Sequence, residues 1–91
     1  MRNWVTRAAF RELVEIHSYI AKDNRAAARA VRARVEELIE RIFEFPFIAP
    51  VVNDEGIRVF PVRPFPYLIF YTVDRSGVII RNIRHAGRTR P

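Results

Sequence analysis

The side chains best suited to chemistry lie together at the end of the last predicted strand. His85 stands there among four arginines, Arg81, Arg84, Arg88 and Arg90. An imidazole can transfer protons near neutral pH, and a guanidinium binds phosphate or carboxylate through two parallel hydrogen bonds. The cluster therefore predicts a site that binds an anionic partner, or one that cleaves a phosphodiester bond. For His85 itself we favour a structural role, in which its ring bonds a backbone group and anchors the chain end.

Other kinds of catalytic or binding site have little support in the sequence. It contains no glycine-rich phosphate loop, no Walker motif and no dinucleotide-binding fingerprint. The two histidines and the absence of cysteine argue against a zinc site and exclude disulfides, so no metal and no cofactor is expected. Ser76 lies in a predicted hairpin loop without a histidine or acid placed to activate it. His17 flanks an apolar helix stripe, and we expect it to be packed rather than catalytic.

The positive charge is concentrated in the last third of the chain. Residues 1–55 carry nine basic and nine acidic groups, whereas residues 56–91 carry seven arginines and one acid, Asp74, which accounts for the net charge of +6. Fifteen of the sixteen basic residues are arginine, and Lys22 is the only lysine. This half of the protein should therefore attract nucleic acid or an acidic protein, although arginines kept only for solubility are the alternative.

Length and composition set the class of protein. Ninety-one residues with 49% hydrophobic and 29% charged residues predict one globular domain over residues 1–91 and exclude a disordered tail. Its apolar runs are too short to cross a bilayer. The start, Met1 to Trp4, lacks the apolar core of a signal peptide. We therefore expect a cytoplasmic protein without a membrane segment.

The first half of the sequence predicts a short strand and two helices. Residues 3–6 fit a strand, and Thr6 can then cap a helix whose apolar stripe includes Leu13 and Ile20. Asp23-Asn24 ends that helix and can cap a second helix over residues 25–44. Because the connection is so short, the two helices should form an antiparallel hairpin.

The second half predicts an apolar segment and three strands. Phe45 to Val52 is unusually apolar for a loop and should pack on the core or under a partner. Strands are predicted over residues 57–63, 67–73 and 78–85, the first being an edge strand or bulged strand because Pro61 cannot donate a backbone hydrogen bond. The middle strand is apolar on both faces, which is typical of a central strand.

Strict alternation would divide the last strand into two faces. Val78, Ile80, Asn82 and Arg84 would share one face, and Ile79, Arg81, Ile83 and His85 would share the other. Three aromatic side chains of the sheet, Tyr67, Tyr71 and Trp4, are expected to be buried. The resulting fold class is α+β with the order β-α-α-β-β-β, a helical hairpin packed across one face of a small, mostly antiparallel sheet.

Several motifs, taken in order, resemble the RelE/ParE toxin superfamily. The first is the helix of residues 9–24, with Leu, then Ile, then Tyr-Ile-Ala and Asp-Asn; the Ala-rich residues 26–28 follow it. Gly-x-Arg stands at residues 56–58, Pro-Tyr-x-Ile-x-Tyr at 66–71 and His-x-x-Arg within 83–88. The resemblance covers almost the whole chain, and the order and spacing of the motifs make it specific. One departure is Phe47-Ile48-Ala49, where many members have a glycine after the proline.

This resemblance implies a type II toxin that is neutralised by a small antitoxin. RelE-like members cleave mRNA on the ribosome with a lysine-rich cluster and often a C-terminal tyrosine, whereas ParE-like members are reported to poison DNA gyrase. The single lysine and the tail Gly87-Arg88-Thr89-Arg90-Pro91 place this chain closer to the ParE branch. We therefore expect a gyrase-binding toxin that is not an enzyme and that meets nucleic acid only through the gyrase–DNA complex.

The expectations for individual residues follow from that assignment. The target-binding surface is predicted to contain Arg81, Arg84, His85, Arg88 and Arg90. The surface for a ParD-like antitoxin, expected to be acidic and amphipathic, is predicted to contain Leu13, Ile20, Phe45, Phe47, Ile48, Arg58 and Arg63.

Two alternatives stay open at this point. If the chain is instead a RelE-like endoribonuclease, Arg58, Arg81 and His85 would grip and cleave the RNA backbone by general acid–base chemistry. If it is a basic binding module without toxicity, such as a decayed toxin, the arginines would only attract an anionic partner.

Overall fold

The computed structural model describes residues 2–88, with the side chain of Arg88 outside that description. The order β-α-α-β-β-β is confirmed, and a short 3-10 helix follows the last strand. The elements are β1 (Arg2–Val5), α1 (Arg7–Ala21), α2 (Arg25–Glu44), β2 (Arg58–Pro61), β3 (Tyr67–Asp74), β4 (Gly77–His85) and the 3-10 helix (Ala86–Arg88).

The four strands form one mixed sheet in the order β1-β4-β3-β2. β1 runs parallel to β4, while β2, β3 and β4 pair antiparallel, so the sheet is mostly antiparallel as predicted. The helical hairpin covers one face, here called the core face. The buried core lies between that face and the inner stripes of the helices, where Val35, Ile42, Ile69, Tyr71 and Ile80 are fully enclosed.

Both helices begin where the sequence predicts. The Thr6 hydroxyl accepts a hydrogen bond from the Ala9 N–H at 3.1 Å, and the Asn24 side chain accepts one from the Ala27 N–H at 2.9 Å. Each cap satisfies a backbone donor that the first helical turn leaves without a partner. The Asn24 cap therefore fixes the start of α2 directly after the short connection that folds the helices back on each other.

Gly77 determines how closely β1 approaches β4. Its φ of +136° is one that side-chain-bearing residues rarely adopt. A Cβ atom there would lie 1.5 Å from the carbonyl oxygen of Arg2. Only glycine therefore permits β1 to pair with the start of β4.

A β-bulge makes the division of β4 into faces differ from the predicted one. Tyr71 lies opposite Ile80, whereas the neighbouring Phe70 lies opposite Asn82, so Arg81 is an extra residue without a partner on β3. Beyond the bulge the faces are exchanged. Ile80 and Ile83 therefore both lie on the core face, and the predicted grouping of Ile80 with Asn82 was wrong.

Two predictions of burial hold only in part. Tyr67 and Tyr71 are buried as expected, at 8% and 0% exposure, but Trp4 is 37% exposed. β3 is a central strand, yet Leu68 and Phe70 on its other face are only half-buried. The reason is architectural, because both helices pack on the core face and leave the opposite face, here called the open face, without a covering layer.

Strand ends differ slightly from the prediction. β1 begins and ends one residue earlier than expected, and β2 is shorter at both ends. The edge position of β2, with Pro61 at its end, agrees with the sequence. Over residues 2–88, neither helix is long and apolar enough to span a bilayer.

Candidate functional site

Arg81 projects from the bulge toward the open face. Its Nε donates to the Thr72 hydroxyl at 3.0 Å, and Thr72 lies on the open face opposite Ile79. The backbone carbonyl of Arg81 accepts a hydrogen bond from the Thr6 hydroxyl at 2.9 Å. Among the described residues no acceptor is found for the N–H groups of the two terminal nitrogens of Arg81. The hydrogen bond from Nε therefore fixes the guanidinium and leaves its two terminal nitrogens available to a ligand.

Asp74 ends β3 and forms its hydrogen bonds within the β3–β4 hairpin rather than with Arg81. Hydrogen bonds from the Ser76 hydroxyl and the Ser76 N–H, the latter at 2.8 Å, hold the pKa of Asp74 below its usual value. Arg81 lowers the same pKa more weakly through its charge. The carboxylate thus closes the β3–β4 turn and does not neutralise the arginine by contact.

Arg84 is oriented by a carboxylate from α1. Glu12 accepts hydrogen bonds from the Ile83 N–H at 2.9 Å and from the Asn82 side chain at 3.2 Å, and one of its oxygens lies 3.5 Å from Arg84 Nε. β1 pairs with β4 only as far as Ile80. Glu12 therefore takes the place of a strand along the next part of the β4 edge and positions the arginine there.

We expect Glu12→Ala to lower the free energy of unfolding by about 1–3 kcal/mol, because the partly buried Ile83 N–H loses its acceptor. Glu12→Gln keeps an acceptor oxygen and should cost less than half as much. Urea denaturation followed by circular dichroism measures both values. Equal losses for the two variants would show that the charge of Glu12, and not its hydrogen bond to β4, holds this edge.

His85 makes the structural contacts that its sequence position suggests. Its Nδ1 accepts a hydrogen bond from the Gly87 N–H at 3.0 Å, which leaves the proton of a neutral ring on Nε2. The ring packs edge-on against Tyr67, with centroids 5.4 Å apart and an angle of 86° between the planes. The side chain therefore anchors the start of the 3-10 helix, and His85 also lines a shallow cleft between α1 and β4.

The three residues of the nuclease hypothesis do not converge. Arg58 lies opposite Tyr71, and His85 lies opposite Tyr67, four residues away on β3, which corresponds to about 13 Å along a strand. Arg81 occupies the bulge and turns toward the open face, whereas Arg58 shares the face of Tyr71. One phosphodiester group cannot contact all three side chains in this arrangement.

The segment from Phe45 to Val52, here called the apolar segment, is held against the sheet by two side chains. The Tyr71 hydroxyl donates to the Pro46 carbonyl at 2.9 Å and accepts from the Ala49 N–H at 3.3 Å. Arg58 donates to the Ala49 carbonyl, and its guanidinium lies 5.1 Å from the centroid of the Phe47 ring. Arg58 thus contacts the apolar segment in two ways, as a hydrogen-bond donor and as a cation over an aromatic ring.

Only one residue of this segment is buried. Ala49 is 2% exposed, whereas five large side chains remain between 42% and 67% exposed, namely Phe45, Phe47, Ile48, Val51 and Val52. The segment therefore presents a fixed apolar patch at the surface, as expected for a binding site.

A second apolar surface lies in the groove of the helical hairpin, here called the helix groove. It has a volume of about 280 Å³ and is lined mainly by apolar side chains of α1 and α2, among them Phe10, Leu13, Val14, Ile39 and Phe43. Phe10 is 63% exposed and Val14 47% exposed. The charged groups at its rim, Arg32, Glu36 and Glu40, come from α2.

The predicted antitoxin-binding residues are distributed unevenly over these surfaces. Phe45, Phe47 and Ile48 are exposed, and Arg63 is exposed beside the β2–β3 turn. Leu13 belongs to the core at 8% exposure, and Ile20 packs against that core, because the apolar stripe of α1 faces the sheet. The exposed large hydrophobic side chains of α1 are instead Phe10, Val14 and Tyr19, which the prediction did not include.

Of the predicted target-binding residues, the structure brings Arg81, Arg84 and His85 onto the second half of β4. Arg90 and the side chain of Arg88 lie outside the described residues. The sequence analysis did not predict the contacts that Thr6 and Glu12 make with β4, which position the bulge and Arg84. Both contacts join residues about 70 positions apart, so no local signal could reveal them.

Comparisons with known proteins agree with this arrangement. The family model for the ParE toxin of the type II toxin–antitoxin system parDE matches residues 5–90. A protein of Sinorhizobium fredii (strain NBRC 101917 / NGR234), described as "Putative toxin Y4kP", is 33% identical over 88 residues, which cover 97% of this chain and 90% of that protein. A solved structure of the chromosomal ParDE toxin–antitoxin system from P. aeruginosa shares the fold, with a TM-score of 0.80 at 17% identity over 93% of this chain and 95% of that chain. The chain therefore belongs to the ParE family of type II toxins.

Proposed function

We propose that this toxin inhibits DNA gyrase by binding it, without catalysing a reaction of its own, and that a ParD-like antitoxin neutralises it in the cytoplasm. The observation that carries the proposal is the arrangement of the cations. Arg81 and Arg84 are exposed on the second half of β4, and each is held through its Nε atom. Arg58 instead holds the apolar segment. This pattern suits a surface that recognises a partner rather than a site that cleaves RNA.

The target surface we propose is the second half of β4 together with the open face beside it. Arg81 and Arg84 supply charge-assisted hydrogen bonds there, and the half-buried Leu68 and Phe70 supply apolar area. Arginine next to aromatic side chains is the composition found at energetically dominant positions of protein interfaces. An acidic surface of gyrase is the complementary partner.

The antitoxin surface we propose consists of the helix groove and the apolar segment. An amphipathic helix laid in the groove would place apolar side chains at positions i, i+3, i+4 and i+7 against Phe10 and Val14. Acidic residues along the same partner would complement the excess of arginine in the second half of the chain. Association should therefore be fast and weakened by salt.

The decisive experiment expresses the protein alone and with the product of a neighbouring gene encoding a short acidic protein. We expect growth arrest by the toxin alone, gyrase-dependent DNA breaks in those cells, intact ribosome-bound mRNA, and recovery on co-expression. Purified gyrase and plasmid DNA then test direct action. Cleavage of mRNA in the ribosomal A site, without an effect on gyrase, would assign the chain to the RelE-like alternative.

Changing Phe10 to alanine tests the antitoxin surface. We expect the affinity for the antitoxin to fall by about 30-fold or more, because a central aromatic anchor is commonly worth 2 kcal/mol or more. Stability should change little, since Phe10 is 63% exposed. Isothermal titration calorimetry gives the affinity, with Arg29→Ala on the outer surface of α2 as the matched control. Unchanged affinity in Phe10→Ala would remove the helix groove from the interface.

A further inference from the structure

We infer that the outer edge of β1 accepts an extended segment of the antitoxin as a fifth strand of the sheet. This inference rests on the proposed function and selects one of the two sheet edges as the docking strand. It also specifies the charge pattern of the segment that docks there.

The outer side of β1 carries backbone N–H groups that do not pair with β4. The Arg2 N–H donates to the Ser76 carbonyl at 2.8 Å, and the Thr6 N–H donates to the Ile80 carbonyl at 3.0 Å. Because backbone groups alternate in direction along a strand, the N–H groups of Asn3 and Val5 point away from β4. All four residues of β1 are exposed. This edge therefore presents two outward-facing donors, as β-strand addition requires.

The opposite edge of the sheet is already obstructed. Val51 forms a β-bridge with Arg58, and the Val52 N–H donates to the Ile57 carbonyl at 2.8 Å. Pro61 ends β2 and has no N–H to donate. The apolar segment and a proline thus protect β2 in the way that natural edge strands are protected, and β1 has neither device.

The β1 edge is continuous with the helix groove. Val5 lies at the end of β1 and also lines the groove beside Phe10 and Leu13. One antitoxin chain could therefore place a helix in the groove and continue directly as a strand along β1. Once the helix is bound in the groove, the linked strand segment is held close to β1, so the two contacts strengthen each other.

The charges on either side of β1 specify the occupant. On the helix side, Asn3 lines a cleft of about 480 Å³ together with Glu37, Glu40, Glu44 and Arg41. Glu37 is already ion-paired with Arg34 at 2.8 Å, so Glu40 and Glu44 are the acids that outnumber Arg41 in this lining. On the other side, Arg2 and Trp4 share the open face. The docking segment should therefore alternate, with basic or polar side chains toward α2 and acidic or apolar side chains toward the open face.

A second copy of this chain fits the edge poorly. Antiparallel pairing of two β1 strands would bring the two acidic clusters of α2 toward each other, because each cluster lies beside its own β1 on the same face. Like charges placed in this way oppose association. The acidic side of the cleft favours a different chain.

Hydrogen exchange of the toxin, free and bound to the full-length antitoxin, tests the edge directly. We expect the amides of Asn3 and Val5 to exchange at least tenfold more slowly in the complex, while the amide of Val59 on β2 changes little. Protection confined to β2, or absent from Asn3 and Val5, would overturn the inference. If no complex forms at all, the proposed neutralisation by the antitoxin is wrong as well. A complex that forms without protecting Asn3 and Val5 contradicts only the inference about β1.

A pair of substitutions at one position tests the role of the backbone donor. Asn3→Pro removes an N–H that β4 does not use, and Asn3→Ala shortens the same side chain but retains the N–H. We expect Asn3→Pro to bind the antitoxin about tenfold more weakly than Asn3→Ala, with both free toxins folded by circular dichroism. Equal affinities would contradict the inference. So would a toxin dimer in sedimentation experiments that Asn3→Pro dissociates, because the occupant would then be a second copy.

Discussion

Replacing Tyr71 with alanine is expected to lower the free energy of unfolding by about 3–5 kcal/mol, which leaves little or no folded protein at 37 °C. Tyr71 is fully buried in the centre of the core. Its removal leaves a cavity in the core and also frees the apolar segment, whose Pro46 carbonyl and Ala49 N–H lose their partner. Few side chains of a domain this small combine both roles.

Tyr71→Phe separates the two contributions. The ring stays in place, so only the hydroxyl contacts are lost, and we expect a cost of about 1–2 kcal/mol. The apolar segment should become more accessible to protease, because its middle would then be held by the Arg58 side chain without the Tyr71 hydroxyl. Limited proteolysis near Ala49, together with urea denaturation, distinguishes loosening of this segment from global unfolding. A Tyr71→Phe protein as resistant as the wild type would show that the hydroxyl does not hold the segment.

The raised pKa of the Tyr71 hydroxyl makes the free energy of unfolding depend on pH in the alkaline range. Burial is the main cause of a raised pKa for Tyr71, and the Ala49 N–H and the Arg58 charge oppose it more weakly. A raised pKa in the folded state means that the contribution of the neutral phenol is fully present below the ordinary value near 10 and is lost as pH rises above it. The wild type should therefore lose stability more steeply above pH 10 than Tyr71→Phe does.

Helices and caps were predictable because their signals are local. The three-and-four spacing from Ala28 to Ile42 and the capping residues Thr6 and Asn24 each lie within one turn of what they determine. α2 accordingly spans the predicted residues 25–44. The β-α-α-β-β-β order follows from the same reasoning once periodicity changes from 3.6 to 2 after Gly56.

The faces of β4 were not predictable by this method. Alternation assigns a face to every residue of a strand, and one inserted residue exchanges all later assignments. Arg81 carries no sequence mark of a bulge, since neither glycine nor proline is adjacent to it. The bulge depends on contacts with Thr6 and with β3 that only the assembled sheet provides.

The candidate site was predicted by residue type but not by geometry. Charge counting found Arg81 and Arg84, because one acid cannot neutralise seven arginines in the last third of the chain. The orientation of Arg84 comes from Glu12, 72 positions earlier in the sequence. Long-range pairs of this kind decide which cations remain available to a partner.

Replacing both Arg81 and Arg84 with alanine is expected to weaken gyrase inhibition by two to three orders of magnitude while leaving the protein folded. Arginines at the centre of an interface are commonly worth 2 kcal/mol or more each, and two such losses correspond to roughly 1,000-fold if they add. Stability should fall by less than about 1 kcal/mol, because both side chains are exposed and their contacts are single hydrogen bonds or ion pairs at the surface.

Arg25→Ala with Arg29→Ala is the matched control, because it removes the same charge from exposed positions on α2, away from β4. If general electrostatic attraction inhibits gyrase, both double variants should lose activity equally. If the second half of β4 is the target surface, only the β4 variant should lose growth arrest and gyrase poisoning. The antitoxin should still bind that variant, since the helix groove and the β1 edge are untouched. Full toxicity of the β4 variant, with expression confirmed, would place the target surface elsewhere on the molecule.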